Sequence, residues 1–223
     1  MSDLDQRILR GTTGLLAGVP SRAGLVGWKL GFGAPTALAS LGTDRPLVGV
    51  LPRERLLPDG ATVEVSGWTR AVLEAEVAVH LRDDVGPGSS PEAALAAVDG
   101  WALAIELADI DHTPDDVERI LAGNIFHRHL VLGPLVGSRP SSSAFAVLHD
   151  GEVVAGTDAP EELTGELGSV LAATAGTLAA CGEALSAGDV VITGSVVPPV
   201  GLSSGRYDVD GGELGGLSVL IQA

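Results

Sequence analysis

The sequence predicts an α+β domain that is rich in strands and has a curled mixed sheet with flanking helices. Short apolar runs bounded by Gly, Pro and Asp recur along the whole chain, as expected for strands joined by turns. Two longer segments near the N-terminus and before residue 181 have the spacing or composition of helices. With 45% hydrophobic but only 3% aromatic residues in 223, one core built from Ala, Val, Leu and Ile is expected.

The first half of the chain alternates short helices with strands. Apolar spacing predicts a helix over 3–17, which we assign to an N-terminal helical segment of residues 1–24. Two further helices are predicted where Pro91 and Pro114 begin short segments that extend to residues 98 and 122. The predicted strands and strand-like apolar runs are residues 25–33, 62–66, 71–81, 100–109 and 129–136.

The second half begins with a hairpin. Asp150-Gly151 lies between two strand-like runs, and this dipeptide is typical of a tight two-residue turn. The remaining predicted elements are a helix over 160–181, a buried strand over 189–194 and a strand pair at 207–210 and 217–221. Residues 25–223 are therefore predicted to form one domain.

The charge balance excludes several classes of partner. Thirteen basic residues against twenty-nine acidic ones give a net charge of −16, which repels nucleic acid and anionic membranes. The polar first ten residues and the lack of a long apolar run predict neither a signal peptide nor a membrane span, hence a cytoplasmic protein. The single cysteine, Cys181, excludes an internal disulfide and a cysteine-based zinc cluster.

Three carboxylates stand at positions that favour metal binding. Glu74 and Glu76 share one face of a predicted strand, about 7 Å apart, where they repel each other unless a cation lies between them. Glu106 is the only charge inside an apolar run, and a buried carboxylate needs a cation or a proton. The alternatives are a solvated face for the first pair and an arginine partner for Glu106. All-oxygen ligands favour Mg²⁺ or Mn²⁺.

The only lysine, Lys29, lies between apolar neighbours in a predicted strand. Twelve of the thirteen basic residues are arginine, which holds its proton, whereas the surroundings of a lysine can tune it to exchange a proton near neutral pH. Lys29 is therefore a candidate for acid–base catalysis, with a snorkelling side chain as the alternative.

Seven short motifs in order resemble one enzyme family. They are Val26-Gly-Trp-Lys-Leu-Gly31, Gly49-Val-Leu51, Glu74-Ala-Glu-Val-Ala78, Ala104-Ile-Glu-Leu-Ala-Asp109, Ala122-Gly-Asn124, Val131-Leu-Gly133 and Ala187-Gly-Asp-Val-Val-Ile-Thr-Gly194. Together they resemble the 2-keto-4-pentenoate hydratase and 4-oxalocrotonate decarboxylase branch of the fumarylacetoacetate hydrolase superfamily.

The resemblance implies a fold, a reaction and an assembly. Residues 25–223 would be the catalytic domain, with the fold of a mixed β-roll. The enzyme would be a metal-dependent lyase acting on a small-molecule 2-oxo or 2-hydroxydienoic acid in the catabolism of aromatic compounds. The enzyme would be a homo-oligomer. The metal ligands would be Glu74, Glu76 and Glu106, and Lys29 would be the acid–base residue.

Some positions of the family pattern differ in this chain. An expected arginine after Asp109 is replaced by Ile110 and Asp111, and an expected serine after Asn124 is replaced by Phe126 or His127. An aspartate expected after Leu51 is absent, and Glu54 is the nearest acid.

The site residues predicted beyond the metal ligands and Lys29 combine these motif positions with their replacements. His127 and Asp109 are predicted to be catalytic; Leu51, Asn124, Arg128 and Thr193 are predicted to bind substrate. If 127–133 is a strand, His127 and His129 share one face and Arg128 the other. The alternative for this basic cluster is a surface patch that pairs with acidic groups.

Two further functions stay open at this point. A C–C bond hydrolase of the same superfamily would need a histidine–glutamate pair on an N-terminal segment, and His80 is the first histidine. A non-catalytic partner subunit would fit the altered positions but not the retained carboxylates and Lys29.

Overall fold

The computed structural model describes residues 2–140 and 144–223 and contains six helices and thirteen strands within them. The helices are α1 (Asp3–Ala17), α2 (Pro35–Leu41), α3 (Pro91–Ala96), α4 (Val117–Ala122), α5 (Glu161–Thr164) and α6 (Leu167–Ala180). The strands are β1 (Leu25–Gly31), β2 (Leu47–Pro52), β3 (Leu56–Leu57), β4 (Ala61–Glu64), β5 (Ala71–Leu81), β6 (Val98–Asp109), β7 (His127–Leu132), β8 (Phe145–His149), β9 (Glu152–Thr157), β10 (Val190–Ser195), β11 (Val200–Gly201), β12 (Gly205–Asp210) and β13 (Gly216–Gln222). None of the described helices is long and apolar enough to cross a membrane.

The first sheet curls into a roll. Its strand order is β2-β1-β10-β5-β6-β7-β3, with β11 paired to β5. The two edges of this path are joined by a single helical turn, Arg53–Arg55, which leads from β2 directly into β3. Because β3 pairs with β7 on the opposite side, the sheet bends back on itself. This arrangement confirms the predicted α+β fold with a mixed β-roll.

A second sheet packs against the outside of the roll. Its order is β4-β13-β12-β8-β9, and β8 and β9 form the predicted hairpin around Asp150-Gly151. Strands β12 and β13 pair antiparallel, as expected for the C-terminal strand pair. The largest apolar cluster includes one face of β5 and β6 and the inner face of this second sheet; members are Leu73, Val79, Leu103, Ile105, Val147, Tyr207, Val209 and Val219.

The interior of the roll has two apolar clusters of its own. One consists largely of small side chains and aliphatic residues: Leu51, Ala78, Ala102, Ala104, Leu130, Val190 and Ile192. The other includes residues of α1 and α4: Ile8, Leu47, Val72, Ala108, Val117, Ile120, Leu121, Ile125 and Phe126. Along β5, the glutamates at 74 and 76 lie between Val72 of one cluster and Ala78 of the other.

Several element boundaries differ from the predictions for identifiable reasons. The helix predicted over 160–181 is two helices, because Gly165 adopts a left-handed φ of +82° that ends α5, and the Glu166 carboxylate then caps α6. The helix predicted from Pro114 begins at Val117, because the side chain of Asp116 caps it. Helix α2 and strand β2 were not predicted, and the strands form two sheets rather than one.

The N-terminal helix is held against the rest of the chain by charge pairs. Arg7 forms hydrogen-bonded ion pairs with Asp116 and Glu118 at the start of α4. Arg10 bonds the same glutamate. The boundary at residue 24 between a helical segment and a catalytic domain stays a prediction.

The parallel contact between β1 and β10 has no room for a side chain at residue 27. Replacing Gly27 by alanine should lower the free energy of unfolding by more than about 3 kcal/mol, because the new Cβ would lie 1.8 Å from the carbonyl oxygen of Val190. Urea denaturation measures this change.

A second glycine provides the matched control for that measurement. Gly14 is exposed in α1, and an added Cβ would meet nothing within 4 Å. Gly14→Ala should therefore raise stability by up to about 1 kcal/mol, as alanine does in helices. Equal free energies of unfolding in the two variants would contradict the close strand contact.

Candidate metal and substrate site

Three carboxylates converge inside the roll. Glu74 of β5 and Glu106 of β6 are directly paired across the two strands, and Glu76 follows on the same face of β5. Ligand oxygens of all three lie within 4.8 Å of one another. Glu76 and Glu106 are fully buried, and Glu74 is half-buried. The structure therefore brings together the three predicted metal ligands.

Lys29 reaches this cluster from the neighbouring part of the sheet. Its strand pairs with β10, which pairs with β5, so that Lys29, Ile192 and Ala78 form one row on the interior face. Its side chain is 2% exposed, and its ammonium group bonds to Glu106 Oε1 and, at 3.0 Å, to the carbonyl oxygen of Ile125. The lysine is thus buried beside a carboxylate and does not snorkel to solvent.

The space for this lysine comes from its cross-strand partner. Gly49 pairs with Lys29, and a Cβ at residue 49 would lie 2.8 Å from Lys29 Cγ and 2.7 Å from Asn124 Oδ1. Any larger residue would displace the lysine stem or the asparagine. The first residue of the Gly49-Val-Leu51 motif therefore leaves space for the side chains of Lys29 and Asn124 and has no functional side chain of its own.

A strained turn presents the carbonyl that Lys29 contacts. Asn124, Ile125 and Phe126 follow α4 with φ values of +52°, +52° and +65°. Left-handed backbone of this kind costs about 1–3 kcal/mol per non-glycine residue, and it persists only where other contacts hold the residue in place. The Asn124 side chain compensates by bonding both backbone groups of Val50, at 2.8 and 2.9 Å. The turn is therefore pinned to β2 and directs the Ile125 carbonyl to Lys29.

The electrostatics of the cluster reflect three acids close together in an apolar surrounding. Burial, helped by the charge of Glu106, raises the pKa of Glu74 to about 7. Burial and both neighbouring glutamates raise the pKa of Glu76 well above its usual value. Burial also opposes ionisation of Glu106, but the charge of Lys29 and the hydrogen bond from His127 outweigh it and lower the pKa of Glu106 to about 2. Glu74 and Glu76 therefore hold a proton more readily than an ordinary glutamate when no cation is present, whereas Glu106 stays ionised.

Two carboxylate oxygens show that the cluster fits a divalent cation. Glu76 Oε2 accepts the Gly194 N–H at 2.7 Å, while Glu76 Oε1 is buried without a hydrogen-bond partner. Glu106 Oε1 accepts from Lys29 and His127, while Glu106 Oε2 is likewise buried without one. Buried polar atoms are rarely left unpaired, and hard cations such as Mg²⁺ and Mn²⁺ take carboxylate oxygens. The donor set thus matches the predicted cofactor.

A cavity of about 390 Å³ opens onto the cluster. Lys29 and Glu74 lie on its wall, together with Gly194 and Ser195 from the end of β10. Most of the remaining wall is apolar; it includes Phe32, Ala108, Ile110, Ile125, Phe126, Leu163, Val197 and Pro198. The volume and the few convergent polar groups are typical of a site for a small organic molecule.

His127 is brought to the cluster, as its predicted catalytic role requires. Its side chain is 2% exposed, and its Nδ1 lies 2.8 Å from Glu106 Oε1. Burial lowers the pKa of His127, so the neutral ring donates its Nδ1 proton to the ionised carboxylate. His127 does not lie on the cavity wall among the described residues, so its contact is with a metal ligand. Its catalytic role stays a prediction.

The prediction that His127 and His129 share a face is wrong. Ala108 pairs with His127 and the preceding residue, Leu107, pairs with His129, so Arg128 is an extra residue in a β-bulge. A bulge shifts the alternation of side chains by one. His127 therefore points into the roll, while His129 stacks on Trp68 on the opposite face, with ring centroids 6.1 Å apart.

Arg128 and Asp109 are bound to groups of the chain itself. The Arg128 guanidinium lies 3.4 Å from Asp109 Oδ2 and 3.1 Å from Asp111 Oδ2, as in the surface-cluster alternative. Asp109 Oδ1 accepts the backbone N–H groups of Thr69 and Arg70, each at 2.9 Å. Neither residue lies on the wall of the 390 Å³ cavity. Substrate binding by Arg128 and catalysis by Asp109 stay predictions.

The other predicted substrate-binding residues have different surroundings. Leu51 packs in the apolar cluster inside the roll, and Asn124 clamps Val50 through its side chain. Thr193 donates its hydroxyl to the Val77 carbonyl and lies on the wall of a separate cavity of about 430 Å³. None of the three is on the wall of the cavity that contains Lys29. Their substrate roles stay predictions.

Arg70 and Phe32 lie on the wall of the 390 Å³ cavity, and sequence reasoning missed both. Arg70 immediately precedes β5, four residues before Glu74, so its place on the interior side of that strand could have been read from the alternation. Phe32 has a left-handed φ of +59° just after β1, for which the sequence gives no signal.

Known proteins are similar to this chain over most of its length. A family model described as fumarylacetoacetate (FAA) hydrolase C-terminal matches residues 34–214. 2-Keto-4-pentenoate hydratase 1 of Dechloromonas aromatica (strain RCB) is 32% identical over 207 residues, which cover 88% of this chain and 77% of that protein. 4-Oxalocrotonate decarboxylase of Pseudomonas putida is 28% identical over 188 residues, which cover 81% and 71%.

A solved structure agrees with the sequence comparisons. The 4-oxalocrotonate decarboxylase from Pseudomonas putida G7, complexed with magnesium and adipate, superposes with a TM-score of 0.80. It is 25% identical, and the match covers 89% of this chain and 78% of that one. The similarity in structure therefore extends over most of both chains.

Removing one charge from the cluster should abolish metal binding. Glu106→Gln should lose Mg²⁺ and Mn²⁺ on dialysis while keeping the circular dichroism spectrum, because the amide has the shape of the carboxylate without its charge. Elemental analysis of the dialysed protein measures the bound metal. Glu152→Gln, an exposed change in β9 of the second sheet, is the control. Full metal content in Glu106→Gln would contradict the assignment.

The hydrogen bond from His127 should strengthen metal binding. His127→Ala should weaken Mg²⁺ affinity about tenfold, the usual effect of losing a group that orients a metal ligand. His127→Asn should recover part of this loss, because its amide N–H can donate to the same oxygen. Isothermal titration calorimetry measures both, with His149→Ala on the second sheet as control. Unchanged affinity in His127→Ala would refute the orienting role.

Proposed function

Because the chain belongs to the fumarylacetoacetate hydrolase family, we propose that it is a metal-dependent lyase acting on a 2-oxo or 2-hydroxydienoic acid, by hydration or by decarboxylation. The observation that carries the proposal is the cluster of Glu74, Glu76 and Glu106 with Lys29 beside it. Glu74 and Lys29 of this cluster lie on the wall of a 390 Å³ cavity. The relatives named 2-keto-4-pentenoate hydratase and 4-oxalocrotonate decarboxylase support it.

The three glutamates would hold Mg²⁺ or Mn²⁺ as the cofactor. Such a cation supplies Lewis-acid polarisation of the carboxylate and 2-oxo oxygens of the substrate. The chain provides the surroundings for this chemistry: Gly194 N–H holds Glu76 in place, and Lys29 and His127 hold Glu106. Because these partners occupy only one oxygen of each glutamate, the other oxygen stays available.

Lys29 would move the proton between the carbon chain and the 2-oxygen of the substrate. Its ammonium has three N–H groups and two acceptors in the protein, Glu106 and Ile125, and it lies on the cavity wall. It therefore has one N–H free to meet a substrate atom. The pinned turn at residues 124–126 fixes the position of this group, and a fixed general acid or base typically contributes 10²–10⁴-fold to rate.

The cavity wall would exclude bulk water from the reacting chain. Phe32, Ile125 and Phe126 line it, and the Phe32 and Phe126 rings lie 6.5 Å apart. An apolar surrounding strengthens the electrostatic contacts at the carboxylate end and protects a charged enol-type species from side reactions.

The C–C bond hydrolase alternative gains no support from these residues. The described histidine–glutamate pair, His127 and Glu106, is buried within the cluster, and no described histidine lies on the cavity wall. The non-catalytic alternative conflicts with the assembled carboxylates and Lys29.

We also propose a cytoplasmic homo-oligomer with a role in the catabolism of aromatic compounds. The named relatives support the metabolic role. On the second sheet, the exposed apolar side chains Val153, Val154 and Leu220 support self-association. Sedimentation velocity of the purified protein tests the assembly.

Turnover assays test the proposed reaction. The protein with Mg²⁺ should remove the ultraviolet absorbance of 2-hydroxypenta-2,4-dienoate by hydration or of a six-carbon 2-oxo-enedioate by decarboxylation. Product analysis by mass spectrometry separates water addition from loss of carbon dioxide. Chelation and Glu106→Gln are the controls that should abolish either reaction. Absence of turnover in protein shown to contain metal would overturn the proposal.

Substituting Lys29 should reduce turnover without removing the metal. Lys29→Met should lower kcat by about 100-fold or more, because the proton-transferring amine is lost. Lys29→Arg should fail similarly, because a guanidinium keeps the charge but does not release its proton near neutral pH. Steady-state kinetics with elemental analysis measures both. An unaffected kcat in Lys29→Met would reduce Lys29 to a structural partner of Glu106.

A further inference from the structure

Lys29 places a buried positive charge beside the three glutamates. Its ammonium group bonds to Glu106, and ligand oxygens of Glu106, Glu74 and Glu76 lie within 4.8 Å of one another. Because the lysine side chain is buried, little water screens this charge from the cluster. The proton transfer proposed above uses an N–H group of Lys29, whereas its charge acts on any ion that the cluster holds.

The charge of Lys29 acts on all three members of the cluster. It lowers the pKa of Glu106, and it opposes the rise in pKa that burial causes at Glu74 and Glu76. In the part of the chain that the structure describes, the basic side chains bonded to these glutamates are Lys29 and His127. Burial lowers the pKa of His127, so that its ring is neutral. The positive charge in contact with the cluster is therefore that of Lys29.

A count of charges follows from this arrangement. Carboxylates bind a metal in their ionised form, so the glutamates of a loaded site carry three negative charges, of which the ammonium of Lys29 cancels one. The two that remain equal the charge of one divalent cation. A monovalent ion would leave a negative charge without compensation inside the apolar roll, and a trivalent ion would leave a positive one. Either excess is costly in such surroundings.

We propose that Lys29 determines which ionic charge the site selects, by shifting its preference toward divalent cations and away from trivalent cations of similar radius. This inference rests on the proposed function, in which the glutamates hold a divalent cation. The repulsion between the ammonium group and a bound ion is proportional to the charge of the ion. A trivalent ion is therefore opposed more strongly than a divalent ion at the same place.

Other basic side chains near the cavity do not stand in this relation to the glutamates. Arg70 lies on the same cavity wall, four residues before Glu74, but it is exposed. Arg128 is bound to Asp109 and Asp111. An exposed charge acts through water, where electrostatic interactions are several times weaker than at a buried contact. Replacing Arg70 thus removes one positive charge from the same wall with little effect on an ion at the glutamates, which makes it a matched control.

Competition between two ions tests the role of the lysine charge. Ca²⁺ and Tb³⁺ have similar radii and both prefer oxygen ligands, and terbium luminescence reports how much Tb³⁺ is displaced by Ca²⁺. Lys29→Met and Lys29→Gln should each raise the preference for Tb³⁺ over Ca²⁺ about tenfold or more, because no ammonium group opposes the additional charge. Glutamine keeps a side-chain N–H group for the buried site, so the pair of neutral variants does not depend on methionine being tolerated. Circular dichroism checks the fold of each variant.

Three further variants provide the controls. Lys29→Arg keeps the positive charge, and Arg70→Met removes one from the exposed part of the wall, so both should keep the wild-type preference within about threefold. Glu106→Gln removes a ligand of the cluster. Luminescence that persists in this variant comes from Tb³⁺ on other acidic groups of the chain and is subtracted.

The possible outcomes separate this inference from the proposed function. If the signal of the wild-type protein equals that of Glu106→Gln, no ion is held at the cluster, and the metal site, the proposed function and this inference are wrong together. If the wild-type protein binds both ions and the two neutral variants keep its preference, Lys29 only holds Glu106 in place, because a displaced ligand weakens the binding of both ions alike. The proposed function then stands and the selectivity role is wrong. An equal rise in Arg70→Met would also overturn that role, because it would report the net charge of the protein.

Discussion

The contact between Lys29 and Glu106 is the constraint on which the rest of the site depends. Three carboxylates inside an apolar roll are unstable together unless positive charge lies among them. In the protein alone, Lys29 supplies one such charge, and removing one partner of a buried pair of this kind typically costs about 3–5 kcal/mol. One lysine balances one glutamate. The other two remain partly protonated, which leaves the cluster short of positive charge and receptive to a divalent cation.

The surrounding fold serves this contact at several positions. Lys29 fits because its cross-strand neighbour is Gly49, which leaves room for the lysine stem. Its second acceptor, the Ile125 carbonyl, is available because three residues adopt left-handed backbone, a conformation that an isoleucine rarely takes. Asn124 secures this turn by bonding β2. Strain and packing gaps are tolerated here because the roll determines the backbone on every side, as is common at functional sites.

The sequence predicted the site better than it predicted the elements around it. Alternation along β5 identified the shared face of Glu74 and Glu76, and an isolated charge in an apolar run identified Glu106, because both depend only on local periodicity. The division of the strands into two sheets, in contrast, depends on pairing between distant segments. The bulge at Arg128 separated His127 from His129, and no local pattern announces an extra residue in a strand. Thr193 and Leu51 belong to family motifs but lie away from the cavity that contains Lys29. The place of a residue in a motif does not predict the direction of its side chain.

Under the proposed function, one cluster would serve two reactions, because hydration and decarboxylation both need negative charge stabilised at the 2-oxygen and a proton moved along the carbon chain. The glutamates would hold the cation and Lys29 would move the proton, and neither role depends on what the rest of the substrate carries. Much of the remaining wall of the 390 Å³ cavity comes from other segments, among them Phe32 just after β1 and Phe126 just before β7. Substitutions in those segments can therefore change which molecule fits the cavity while the glutamates and Lys29 stay in place.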